Sequence, residues 1–171
     1  MPSLLRTDKE IIAIYNRHAD TVYYVCYSFM KNKPEAEDMV QETFLRLITS
    51  GKEFENERHE KAWLIVTASN LCRDSLKRWY RRDENIDDHY DLAGNTDYRD
   101  NPVLDAILSL PEEYKTVVYM YYYEGYSTQE IARHLRCPHA TVRTRLARAR
   151  KRLKSMLGGE SDEQTERSKG L

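Results

Sequence analysis

The stretch from Ser127 to Lys154, STQEIARHLRCPHATVRTRLARARKRLK, constrains the chain more than any other. Ser127 opens the pattern S-x-x-E with Glu130, in which each residue can satisfy a free backbone N–H of the other, so a helix should start there. Ile131, Ala132 and Leu135 give that helix its apolar side. Arg136-Cys137-Pro138 interrupts it, because the residue before a proline is pushed out of the α region while Pro138 itself suits a first helical turn. Beyond the break, Val142, Leu146, Ala149 and Leu153 recur at helical spacing as one stripe. The pattern is two short helices joined by a tight turn, with a basic extension.

Between Arg133 and Lys154 stand nine cations and no Asp or Glu, although the whole chain carries a formal net charge of only −1. Charge is therefore segregated. An Arg/Lys run by itself describes a solvated helix that packs on its neighbour. Capping box, break and segregated charge together fit a helix-turn-helix whose second helix enters the DNA major groove, with flanking cations on phosphates.

With 171 residues, 32% charged and 40% hydrophobic, the chain suits one ordinary domain or two small ones. No run approaches the ~20 apolar residues of a membrane span, and the N-terminus has no signal-peptide pattern, so membrane insertion is not expected. Three widely spaced cysteines, Cys26, Cys72 and Cys137, argue against a disulfide framework and suit a reducing cytoplasm. His134, Cys137 and His139 lie close together, but no second ligand pair at zinc spacing accompanies them. No phosphate-binding glycine loop or nucleophile elbow is present, so neither a metal, a cofactor nor a catalytic residue is expected.

From the start, the chain reads as successive helices. Ile11, Ile12, Tyr15, Ala19, Val22, Tyr23, Cys26, Phe29 and Met30 mark a long amphipathic helix ended by Lys31-Asn32-Lys33. Pro34 opens a second, with Ala36, Met39, Val40, Thr43, Phe44 and Leu47 inward and Glu35, Asp38, Gln41, Glu42 and Arg46 outward. Thr49 to Glu60 is polar and predicted to be a loop. The next helix directs Ala62, Leu64, Ile65, Ala68, Leu71, Cys72 and Leu76 to a core, and Asn70, Arg73, Asp74, Lys77, Arg78, Arg81 and Arg82 outward. Trp63 and Trp79 suit either core packing or nucleic-acid contact.

These blocks carry a family resemblance. EAEDMVQETFLRLI resembles region 2.2 of bacterial sigma factors, and KAWLIVTASNLCRDSLKRWYRR resembles regions 2.3 and 2.4. LSLPEEYKTVVYMYYYEGYSTQEIARHLRCPHATVRTRLARARKRL resembles region 4. They stand in the family's order, with no third domain between them and no N-terminal extension, as in the extracytoplasmic-function (group IV) sigma factors. The resemblance implies an all-α chain of two small helical domains: region 2 over residues 8–82, an acidic flexible linker over 83–101, region 4 over 102–157 and a disordered tail over 158–171.

It also implies roles. Asp38, Gln41, Glu42 and Arg46 match the surface that docks on the β′ clamp coiled coil of core RNA polymerase, a complex that also involves the β subunit. Phe54 and Asn56 lie in the loop that captures a flipped base of the −10 element, where an apolar wall and a hydrogen-bonding edge are needed. Asn70, Arg73, Lys77 and Arg78 face promoter DNA around the melted segment. His139, Thr141, Arg143, Thr144 and Arg145 face base edges or nearby phosphates of the −35 duplex, with Arg148 and Lys151 mainly on phosphate. A cytoplasmic, non-enzymatic sigma factor held by an anti-sigma factor is the implied whole. Two other classes fit the residues: a dimeric helix-turn-helix regulator acting without polymerase, and a module whose basic helix docks on an acidic protein.

Asp83 to Asp100 carries seven acids against one base, Arg99, and reads as a linker. In the resembling family this segment threads toward the polymerase active-site and RNA-exit channels. After it, Val103, Leu104, Ile107 and Leu108 mark a short helix, and Pro111 opens another through Val117, Val118, Met120 and Tyr121. Tyr119, Tyr121, Tyr122, Tyr123 and Tyr126 read as core rings with wet hydroxyls, and Gly125 as a C-cap. Two positions depart from the family pattern. Arg136 stands where glycine or asparagine is usual, at a cost of about 1 kcal/mol if left-handed. Ala140-Thr141-Val142 replaces the usual G-T-V and adds a methyl near the DNA backbone.

Overall fold

The computed structural model describes residues 6–82 and 102–158. The expected linker and the tail beyond Gly158 lie outside them. Among the described residues the chain is all-α: α1 Asp8–Met30, α2 Lys33–Ser50, α3 Glu57–Arg82, α4 Pro102–Leu108, α5 Glu112–Val118, α6 Thr128–Leu135 and α7 His139–Met156.

The helix boundaries follow from local chemistry. Thr7 caps α1 in a reciprocal box with Glu10. Lys31 then ends the helix in the left-handed conformation (φ 62°). Asn32 accepts the Glu35 N–H at the start of α2, with Pro34 in its first turn, and left-handed Gly51 closes it. The expected loop at 49–60 is shorter than predicted, because α2 runs through Ser50 and α3 begins at Glu57. Asn56 is one reason: its Oδ1 accepts the His59 N–H at 2.8 Å and caps α3.

One apolar cluster runs through α1, α2 and α3 and on to Val117, Met120, Tyr126, Ile131, Val142 and Leu146. The two helical modules are therefore packed together. A smaller cluster joins Ile107, Leu110, Tyr114, Val118 and Ala149.

Two expectations need correction. In the first half of α1 the buried face is Ile14 and His18, not Ile11, Ile12, Tyr15 and Ala19. Counting apolar residues passes over His18, which is buried because its Nε2 lies 2.7 Å from Glu60 Oε1, itself held by Arg17 at 2.9 Å. The Nε2 contact offsets part of the cost of burying the ring, whose Nδ1 is buried without a hydrogen-bond partner, and the helix face that turns inward carries His18. The tyrosine run, expected to continue an α-helix, is a π-helical turn over Tyr119–Tyr123, closed by Glu124 N–H on the Tyr119 carbonyl at 3.2 Å. That extra residue divides the rings: Tyr119 and Tyr126 are buried, while Tyr122 and Tyr123 stand 50% and 47% exposed. Gly125 follows at φ 70° and turns the chain into α6.

Candidate nucleic-acid interface

The helix-turn-helix forms as its sequence dictates. Ser127 Oγ accepts the Glu130 N–H at 3.1 Å, and the Glu130 carboxylate accepts the Ser127 N–H at 3.4 Å. Arg136 is left-handed (φ 54°, ψ 46°), so the strain anticipated for a non-glycine residue is present in the tight turn. Extended Pro138 precedes α7, whose Val142, Leu146 and Ala149 are buried. Burial of that stripe fixes the rotation of α7 and leaves Arg143, Thr144, Arg148 and Lys151 exposed on its outer surface. Thr141 and Arg145 are half-buried. His139 is half-buried too, with its Nε2 2.6 Å from Thr128 Oγ1, which ties α7 back to α6. His134 packs edge-on against Tyr126 at 6.2 Å, and Cys137 is a half-buried free thiol.

A second set of predicted residues lies on α3 and the short loop before it. Lys77 and Arg78 are exposed and continue into Arg81 and Arg82. Asn70 is exposed and accepts Arg73 Nη2 at 2.9 Å. Arg73 is half-buried; burial, and then the nearby Arg145 guanidinium, hold its pKa below the ordinary arginine value. Those two arginines, one from each predicted set, are thus neighbours. Phe54 is half-buried between His59 (5.4 Å, edge-on) and Trp63 (5.7 Å), with the Arg6 guanidinium 5.1 Å from its ring. The ring anchors the loop and forms an apolar wall at its surface. Asn56 spends its side-chain oxygen on the α3 cap.

The third set lies on α2. Asp38, Gln41, Glu42 and Arg46 are all exposed on α2. Beside them lies a groove of about 770 Å³ between α1 and α2, lined by Ile12, Tyr15, Val40, Gln41, Phe44 and Leu45. Ile12 and Leu45 are 58% and 53% exposed. Sequence reasoning missed this groove because it counted Ile12 and Tyr15 only as apolar positions of one long amphipathic helix. The surplus of apolar positions on α1 over what one face can bury was the available signal.

Comparison with known proteins decides the family. The Sigma-70 region 2 model matches residues 14–82, and the Sigma-70, region 4 model matches residues 100–153. The ECF RNA polymerase sigma factor SigW of Bacillus subtilis is 31% identical over 169 residues, covering 86% of this chain and 87% of SigW. This chain belongs to the extracytoplasmic-function sigma factors of the sigma-70 family. The ECF RNA polymerase sigma factor SigE of Mycolicibacterium smegmatis is 34% identical over 161 residues, and the match spans 88% of this chain but 62% of SigE. The fold matches that of the sigma factor RpoE from Bartonella quintana, solved in complex with the anti-sigma factor NepR (TM-score 0.65, 21% identity, covering 89% of this chain and 96% of RpoE). The dimeric-regulator reading finds no support in these matches, since sigma region 2 accounts for the half it reserved for dimerisation.

In sigma terms, α1–α3 carry region 2 and α4–α7 carry region 4. Among the described residues no helix is long and apolar enough to cross a membrane.

Proposed function

We propose that this chain binds core RNA polymerase and directs promoter-specific initiation, with region 2 over residues 8–82 and region 4 over 102–157. The observation that carries the reading is the pairing of two sigma modules with exposed faces of opposite character: α2 acidic beside an apolar groove, α7 basic throughout. The α2 face is suited to a helical protein partner, which the β′ clamp coiled coil supplies. There Asp38, Gln41, Glu42 and Arg46 give polar register while the groove buries apolar surface. Phe54, Asn56, Asn70, Arg73, Lys77 and Arg78 form the −10 surface. His139, Thr141, Arg143, Thr144 and Arg145 read the −35 duplex, and Arg148 and Lys151 hold its phosphates. Polymerase performs the chemistry in the cytoplasm, and this chain is not itself an enzyme. An anti-sigma factor is a fitting second partner, given the NepR complex of the structurally similar RpoE.

Run-off transcription with purified core polymerase on a promoter library tests this. Initiation should depend on the chain and fall about tenfold or more in the Asp38→Ala/Glu42→Ala variant, as loss of central polar contacts predicts. Tight duplex binding without initiation or association with core would reject the proposal.

A further inference from the structure

Two cations of α7 are engaged by tyrosines of its own region. Arg150 donates from Nε to the Tyr122 hydroxyl at 2.6 Å, and its guanidinium lies 5.8 Å from the centre of the Tyr121 ring and 6.0 Å from that of Tyr122. Those two rings meet edge-on at 5.0 Å. The Arg152 guanidinium lies 5.7 Å from the ring of buried Tyr114 on α5. A guanidinium within ~6 Å of a ring centre is attracted by its face.

Helical spacing puts the two contacts on opposite flanks. Arg150 follows buried Ala149 and Arg152 precedes half-buried Leu153. At ~100° per residue each stands about 80° from the buried stripe, one on either side. The stripe also narrows in this direction: Val142 and Leu146 are buried aliphatic side chains, whereas Ala149 offers one methyl and Leu153 is half-buried. Apolar contact therefore holds the first half of α7 more firmly than the second. The π-helical turn supplies the partner for that second half, since its extra residue leaves Tyr119 in the core and brings Tyr122 out beside Arg150.

Arg150 shares its flank with exposed Arg143, seven residues and about two turns earlier. The start of α7 is the part that a major groove receives first. A helix is stiff over two turns, so a swing at position 150 displaces Arg143.

We propose that Tyr122 and Arg150 are positioning residues for −35 reading: their bond, opposed by Arg152 on Tyr114 across the stripe, sets the angle at which α7 enters the groove. This rests on the sigma reading above. It also removes Arg150 from the cations that hold phosphate, where its place in the basic run alone would put it.

The test uses the full-length chain and fluorescence anisotropy on two labelled 20-base-pair duplexes. One is selected by the wild type from a random pool, and the other carries the same bases shuffled. The readouts are the ratio of the two affinities and the slope of log K against log salt. Tyr122→Phe removes the hydroxyl and keeps the ring, while Arg150→Lys keeps the charge and loses the planar fork. Each should lower the ratio about three- to fivefold, as loss of one exposed hydrogen bond predicts, with the salt slope unchanged. The double variant should lose no more than either single one, because both act through one bond. A merely structural defect would weaken both duplexes alike and leave the ratio where it was.

A wild-type ratio in either single variant overturns the positioning role. So does a double variant whose loss is the sum of the two, or an Arg150→Ala slope reduced by about 0.9, which would put that side chain on phosphate. A wild type that discriminates while its variants match it rejects the positioning role alone; a wild type that selects no sequence rejects the −35 reading, and the positioning role with it.

Discussion

Helices α2 and α7 are each 18 residues long, and each buries one stripe in the same continuous fold. Their free surfaces differ. Glu35, Glu37, Asp38 and Glu42 stand on α2, next to exposed Leu45 and the groove shared with α1. α7 carries seven cations, no acid, and no exposed large aliphatic side chain before Met156. Apolar area removed from water is the main driving force available beside α2, whereas α7 can offer only charge and hydrogen bonds. Two helices with the same internal logic are thereby committed to different classes of partner. Binding through α2 should respond weakly to salt and binding through α7 strongly.

The largest test asks whether the two regions stand or fall together. Leu47 of α2 and Leu146 of α7 are both essentially inaccessible and belong to one cluster. Leu47→Ala and Leu146→Ala should each cost about 2–5 kcal/mol through lost burial and the cavity left behind. Urea unfolding followed by far-UV circular dichroism should show one transition that moves in both variants. A transition that splits, with only one phase shifted in each, would show the regions to be independently stable.

Lys115 sharpens the comparison, because it reaches from region 4 into the end of α1. Burial, reinforced by Lys31, brings its pKa down from the ordinary 10.5 to about 8. The unfolded chain therefore binds more protons than the folded one between these values. Stability rises with pH across that window, is fully gained above 10.5, and is lost as pH falls through about 8. The full span corresponds to about 3 kcal/mol. Burial raises Tyr126 to about 12 and Tyr119 further, which acts in the opposite sense above pH 10. The rise should therefore be read between pH 8 and 10, and it should flatten in Lys115→Met.

What the sequence disclosed is uneven for a physical reason. Caps and breaks are local, so Ser127 with Glu130, Asn32 with Pro34, and the interruption at Arg136 were legible. The α1 register was not, because His18 is buried by Glu60, 42 residues away. The Arg58–Glu130 ion pair between α3 and α6 was hidden for the same reason: its partners are 72 residues apart. Asn56 and Phe54 show the limit at the candidate site, since a cap and a loop anchor have the same residue types as a base pocket. Exposed α7 cations needed no such partner and were readable from charge segregation alone.

Arg136 offers a third, smaller test, confined to the α6–α7 turn. A left-handed arginine is strained where glycine is not, so Arg136→Gly should stabilise the chain by about 1 kcal/mol, seen as a higher urea midpoint. No gain would mean that the arginine side chain makes contacts that offset the strain.

The smallest effect is the most discriminating for α7. Arg148 is exposed and lies two turns beyond Thr141, away from the start of α7 that a major groove receives first. A cation placed on phosphate contributes through counterion release, which is blind to base sequence. Arg148→Ala should therefore weaken duplex binding on all sequences alike and reduce the slope of log K against log salt by about 0.9, leaving the preferred site unchanged. Arg143→Ala should differ by relaxing preference at one position, since Arg143 sits in the first turns of the helix. The contrast with α2 completes the test. Asp38→Ala should lower affinity for core polymerase with little change in salt slope, because the groove beside it binds by area. If Arg148→Ala leaves the duplex slope unaltered, its side chain is not on phosphate, and the electrostatic account of the α7 face loses its outermost contact.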